Sequence, residues 1–390
     1  MTSGPSPSKR VASLAKSAIH EMTRLSKQYD DVAFLSWAKP TSGTPVHIRR
    51  AAVEAIENGA VDGYSESRGL LELREEICEK LKRDNGIDAG PDEFLVTVGA
   101  IEGLAAAVMA VVDPGDEVLL PTPTYSTHVR QVLLASAKPV FVPSPEDAGF
   151  GLDVQGMRRK LTPRTRAVLL CTPCNPTGAV YSEKSLRELG KLAVENDLTV
   201  ITDEAYEYFV YDDAEHFSLA SVPEYRPFVV SGFTFTKTYA MTGWRLGYIH
   251  ASSELTNQIQ KAHIPMAICA PVVSQYAALA ALRGPADCVE EFRSKYLSAR
   301  NLMCERLDAL EEHFSYHRPE GSYLMFPRVL HEKGAKSLDF CKTLLSQARV
   351  SATPGVAFGP TGEGHVRMSF CVPEEMINKA FDRIEEFFGR

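Results

Sequence analysis

Seven short apolar runs rich in β-branched residues punctuate the middle of the chain: FLVTV (94–98), EVLLP (117–121), PVFVP (139–143), RAVLLC (166–171), LTVITD (198–203), FVVSGF (228–233) and RLGYI (245–249). Runs of this length and composition predict buried strands. Between several of them, apolar residues recur every three or four positions. In 182–196, for example, Leu186, Leu189, Leu192 and Ala193 share a face and Ser182 stands where a helix cap belongs. Strand, helix and strand in series predict an α/β fold with a mainly parallel sheet covered on both faces.

The pattern changes near residue 285. A long helical stretch, about 289–313, leads into a shorter mix of strands and helices. Residues 1–30 read as a polar, Ser-rich arm with one amphipathic piece at 17–27. The division that follows is a large α/β domain over 46–285 and a smaller one built from 1–45 and 286–390. No fixed-period repeat interrupts it.

Composition narrows the class. The 390 residues are 44% hydrophobic and 24% charged, the balance of a globular protein. A net charge of −8 argues against a nucleic-acid binder relying on a basic face. The longest apolar stretch, 104–112, is too short to span a bilayer. The opening MTSGPSPSKR has no apolar leader segment, so a cytoplasmic protein is expected. Eight scattered cysteines then read as buried free thiols. The one C-x-x-C, Cys171 and Cys174, lacks a second pair, and the His313/His317 pair lacks the HExxH glutamate. No metal site is expected.

In open α/β sheets, ligands gather at the carboxyl ends of strands. There the chain places Gly99, Ala100 and Ile101, then Tyr125, Asn175, Asp203 with Tyr206, and Thr234 to Lys237. Lys237 sits among small and apolar residues, where lost hydration lowers an amine's pKa and makes it nucleophilic. Arg245, Thr234 and Thr236 suit an anion, and so does the glycine turn opening a helix at Gly99. Asp203, at the end of an apolar strand, needs a partner; either a protonated heterocycle or a backbone cap would serve.

Together these residues resemble the fold-type I pyridoxal-phosphate enzymes of the aspartate aminotransferase family, class I/II, over about residues 20–385. The family's N-P-x-G loop matches Asn175 to Gly178, and its D-x-x-Y motif matches Asp203 and Tyr206. S-x-S-K followed by G-x-R-x-G matches Thr234, Thr236, Lys237, Gly243, Arg245 and Gly247. Its C-terminal arginine matches Arg367, and its N-terminal signature matches Gly63, Tyr64, Gly69, Leu73 and Arg74.

The resemblance implies that Lys237 holds pyridoxal 5'-phosphate as a Schiff base and carries the catalytic proton. Asp203 would keep the ring nitrogen protonated, Tyr206 and Asn175 would bond the ring oxygen, and Tyr125 would stack on the ring. Gly99, Ala100, Ile101, Thr234, Thr236 and Arg245 would hold the phosphate. Tyr64 would reach the phosphate of a second subunit, which implies a homodimer. Arg367 would bind the substrate carboxylate, with Ala38 and Lys39 beside it. The expected partners are an amino acid and a 2-oxo acid, with neither nucleic acid nor membrane.

Departures from the family pattern cluster on the substrate side. The loop before Pro40 reads SWAKP, with Ala38 and Lys39 where a glycine is usual. His128 replaces a frequent tyrosine, and both S-x-S-K serines are threonines. The C-x-x-C is then read as small buried residues flanking the Asn175 loop. Aminotransfer is the expected reaction; a lyase, synthase or cyclase on the same cofactor is the alternative.

Overall fold

All seven apolar runs enter one sheet in a computed structural model, which describes residues 6–12, 14, 17–330 and 336–389. Residues 1–5, on which the leader reading partly rests, lie outside the described residues. Across the sheet the strands run Phe94–Thr97, Gly247–His250, Val229–Thr234, Thr199–Asp203, Thr165–Cys171, Glu117–Thr122 and Lys138–Pro143. Gly247–His250 runs opposite to the other six strands and so pairs antiparallel on both sides. It returns directly from Val229–Thr234 without a crossover. Its amino end, beside Arg245, therefore meets the carboxyl ends of the parallel strands.

Side-chain alternation divides the apolar residues between two faces. Val168 and Leu170 pack with Leu186, Leu189 and Leu192 of the helix Glu183–Asn196. Ala167 and Leu169 pack on the other face with Leu104, Val108 and Ile259. A fully buried leucine contributes about 1.5–3 kcal/mol. A helix cap contributes about 1 kcal/mol. Packing therefore dominates, although Ser182 does cap its helix by accepting the Ser185 N–H at 3.2 Å.

A further core gathers the chain's two ends. Met22 from the helix Ala18–Ser26 and Leu35 pack with Met303, Phe340, Phe370 and Phe381. Tyr206 and Phe209 enter the same core from beyond the strand Thr199–Asp203. The arm therefore docks on the C-terminal region.

The long helix spans Asp287–Asp308, five residues short of the expected end. Antiparallel pairing of Phe314–Ser315 with Arg328–Val329 captures the chain, and Leu330 donates to the His313 carbonyl at 2.8 Å. His313 and His317 therefore share no helical face. His313 stacks on Phe388 and His317 meets Phe150 edge-on. Among the described residues, no helix is long and apolar enough to cross a membrane, and no His/Cys/Asp/Glu group of three or more could hold a metal.

Candidate active site

A cavity of about 580 Å³ lies where the strand ends meet the N-terminal segment around Ser36 to Lys39 and the strand bearing Arg367. Lys237 occupies the short helix Phe235–Thr238 that follows a sheet strand. Thr234 shapes this turn: its Oγ1 accepts the Thr236 N–H at 3.1 Å and donates to the Leu246 carbonyl at 3.2 Å. Lys237 Nζ donates to the Ala38 carbonyl at 2.9 Å. Burial lowers its pKa to about 8; Arg367 and Arg245 add to the shift, while Cys371 and Asp203 oppose it. The amine expected from sequence is thus present, with the expected cause.

Asp203 ends its strand with both oxygens used. Oδ2 lies 3.1 Å from His128 Nε2, and Oδ1 accepts the Ala205 N–H at 3.3 Å. Asp203 thus makes the backbone cap bond that one sequence reading expected, while its other oxygen faces His128. His128 comes from the helix Ser126–Leu134, and Tyr125 precedes it with its ring edge-on to the imidazole at 5.4 Å. Tyr206 is buried against the cavity, its ring centroid 5.7 Å from Lys237 Nζ. Burial raises its phenol pKa, so it remains a donor.

On the opposite wall the helix Ala100–Val111 begins at Gly99, whose φ of 73° favours glycine. A Cβ at Gly99 would sit 2.7 Å from the Arg245 guanidinium, and one at Gly247 would sit 2.4 Å from the Ala100 nitrogen. Two glycines thus let Arg245 and the first turn of a twelve-residue helix close together. The helix's first N–H groups have no intrahelical acceptor and favour an anion.

Arg367, on the strand Val366–Ser369, is 3% exposed. Its Nη1 donates to Asn175 Oδ1 at 3.3 Å; its Nη2 donates to the Ser36 carbonyl at 2.7 Å and to Thr353 Oγ1 at 3.2 Å. These acceptors are all neutral, and Nε has no partner. A buried guanidinium so placed is short of negative charge. Asn175 is presented by the loop in which Gly178 N–H bonds the Cys174 carbonyl at 2.9 Å. Cys171 and Cys174 are buried free thiols whose pKa values burial raises.

The cavity thus lines up Ala38, Lys39, Gly99, Ala100, Ile101, Tyr125, Asn175, Asp203, Tyr206, Thr234, Thr236, Lys237, Arg245 and Arg367. Tyr64 lies outside it, 81% exposed, so any role at a phosphate requires another subunit. Sequence reasoning left His128 without a role and missed Ile19, Trp37 and the Ser36 carbonyl at the wall. The orphaned Arg367 Nε and the glycine-lined anion cradle both fit a phosphorylated cofactor with a carboxylate substrate.

Fold and cavity together define a fold-type I pyridoxal-phosphate-dependent transferase. The family model for aminotransferase class I and II matches residues 32–384. The aspartate aminotransferase of Pyrococcus abyssi (strain GE5 / Orsay) is 40% identical over 384 residues, covering 97% of each chain. Aromatic-amino-acid aminotransferase 2 of Thermococcus litoralis is 37% identical over 382 residues, again with 97% of each covered. The structure of Thermus thermophilus aspartate aminotransferase with maleate superposes with a TM-score of 0.93 at 32% identity, covering 98% of this chain and 99% of that one. The chain belongs to the class I and II aminotransferases and uses pyridoxal 5'-phosphate to move amino groups between an amino acid and a 2-oxo acid. The lyase, synthase or cyclase alternative finds no support among these relatives.

Proposed function

We propose that the amino donors are acidic and aromatic L-amino acids, with a dicarboxylic 2-oxo acid as acceptor. The observation that carries this reading is the cavity wall. Ile19, Trp37 and Ile101 offer apolar surface for a ring, and the exposed Lys39 at the rim offers a cation to a distal carboxylate. The similarity to an aspartate and an aromatic aminotransferase supports the same pair of classes.

In this reading Arg367 binds the substrate α-carboxylate, filling the unsatisfied Nε, and Asn175 orients it. Lys237 would hold the cofactor through Nζ and would carry the proton there, since burial lowers the pKa of this amine to about 8. Asp203, fixed by His128, holds the proton on the cofactor's ring nitrogen. Tyr125 would cover the ring face, and Tyr206 would donate to the ring oxygen. Gly99, Ala100, Ile101, Thr234, Thr236 and Arg245 bind the phosphate. Bound pyridoxal phosphate supplies the electron-withdrawing ring on which the amino group is transferred.

The protein works as a homodimer in the cytoplasm, with Tyr64 completing the partner's phosphate site. Support comes from the exposure of Tyr64 and from eight free cysteines. The proposed division is 46–285 against 1–45 plus 286–390; the core that gathers the two chain ends also takes in Tyr206 and Phe209 from 46–285.

The test is a half-reaction: full-length holoenzyme, a panel of amino acids, no oxo acid, and stoichiometric 2-oxo acid release as the readout. Release from aspartate and from phenylalanine is expected, with Lys39→Ala raising KM for aspartate alone. Release from neither would reject the assignment. Equal KM effects on both would remove Lys39 from recognition.

A further inference from the structure

Three consecutive carbonyls of the segment before Lys39 accept donors from the site. Ser36 O takes Arg367 Nη2 at 2.7 Å, and Trp37 O takes the Cys371 thiol at 3.9 Å. Ala38 O takes two donors, Lys237 Nζ at 2.9 Å and the Tyr323 hydroxyl at 3.1 Å. The last arrangement sets the reactive amine and a phenol on one oxygen.

Tyr323 has little freedom to do otherwise. It precedes the strand Leu324–Met325 and is fully buried. Tyr206 packs edge-on against its ring at 5.0 Å and Tyr296 at 5.3 Å. Phe209 lies tilted beside it at 6.0 Å. Rings on several sides fix the direction of the C–O bond, and a buried phenol must find an acceptor. Lys237 Nζ also stands 5.6 Å from the centroid of the same ring.

We propose that Tyr323 is a positioning residue for the Lys237 amine: by sharing the Ala38 carbonyl it fixes where the free amine rests and weakens that oxygen as an acceptor for ammonium. The inference rests on Lys237 being the reactive amine. A carbonyl oxygen offers two lone pairs, and donation into one reduces the electron density available at the other. An ammonium depends on that density more than a neutral amine does, because charge-assisted bonds are the stronger ones. Tyr323 therefore biases Lys237 toward the neutral, nucleophilic form. When Lys237 is engaged elsewhere, Tyr323 still satisfies Ala38 O. The 36–38 segment then keeps its place, and with it the Ser36 carbonyl that steadies Arg367.

The other groups acting on Lys237 are Cys371, Arg367, Asp203 and Arg245, with the Tyr206 ring on a further side. Burial raises the Cys371 thiol to about 11 and keeps both phenols protonated. The two substitutions at position 323 leave Cys371, Arg367, Asp203, Arg245 and Tyr206 unchanged.

The experiment uses the full-length chain freed of cofactor. Lys237 is labelled with an amine-reactive reagent across the neutral and alkaline range, and the extent is read by peptide mass spectrometry. Tyr323→Phe keeps the ring and removes the hydroxyl; it is expected to raise the labelling midpoint by ~0.5–1 unit. Site-specific 3-fluorotyrosine at position 323, a stronger donor of the same shape, is expected to lower it. In the holoenzyme Tyr323→Phe is expected to lower kcat several-fold with little change in KM. An unchanged midpoint in both variants, or shifts of the same sign, would overturn the proposal and leave Tyr323 a core ring. If the Phe variant does not fold, the fluorotyrosine shift decides alone. Lys237→Ala that keeps the cofactor's visible absorbance would instead overturn the reading of Lys237, an outcome separate from either midpoint.

Discussion

His128 Nε2 stands 3.1 Å from Asp203 Oδ2, so the carboxylate at the end of the Thr199–Asp203 strand is held by an imidazole from the helix after Tyr125. Both side chains are buried, and His128 Nδ1 has no partner of its own. His128→Phe keeps the ring packing against Tyr125 and removes the bond. Hydrogen bonds to charged groups contribute about 1.5–3 kcal/mol. Roughly tenfold or greater loss of cofactor affinity is expected by fluorescence titration. Unchanged affinity would show that Asp203 needs no such support.

Arg367→Lys retains a positive charge but loses the planar fork. A single ammonium cannot occupy at once the separate positions from which Nη1 reaches Asn175, Nη2 reaches Ser36 and Nε faces a carboxylate. Steady-state kinetics should show KM rising roughly tenfold or more for both amino acid and oxo acid. A rise for one substrate alone would contradict a shared carboxylate site.

Lys237 makes cofactor-free protein pH-sensitive in a defined direction. Its pKa falls from the ordinary lysine value of 10.5 to about 8 on folding. Between those values the unfolded chain binds more protons, so stability contributed by this group rises with pH across the window. Lys237→Met removes that slope. Below the window it is more stable than wild type by at most about 3 kcal/mol. Urea unfolding of both full-length proteins across the window checks this; parallel curves would refute it.

Gly247→Ala and Gly243→Ala separate close approach from sequence motif. A Cβ at Gly247 would meet the Ala100 nitrogen at 2.4 Å and the Phe233 carbonyl at 2.6 Å, whereas one at Gly243 meets nothing within 4 Å. The first substitution should cost about 1–3 kcal/mol. The second should stay within about 0.5 kcal/mol. Thermal melts of the two variants decide, and similar values would mean the strand–helix junction can spread.

The seven strands were legible to within a residue or two, because an apolar run bounded by polar turns has few other uses in a chain of this composition. Asp203 and Lys237 were legible because charged residues at the ends of such runs are costly without a task. The direction of Gly247–His250 was not, since alternation carries no sense of direction. The long helix's end was missed for a related reason: pairing of Phe314–Ser315 with Arg328–Val329 overrides a local periodicity that continues past Asp308.

The chemistry of single residues was thus written in the sequence: an amine, a carboxylate, a guanidinium and a glycine turn, each at a strand end. Their meeting was decided by tertiary structure. Asn175 and Arg367 touch across 192 residues, and Tyr323 reaches Ala38 across 285. The Ala38 and Ser36 carbonyls carry no side-chain signature at all, since every residue presents the same backbone oxygen. Only the packing of the N-terminal arm against the C-terminal core brings those oxygens to the amine and the guanidinium. That packing is the sum of many weak apolar contacts between distant segments, which no local pattern records.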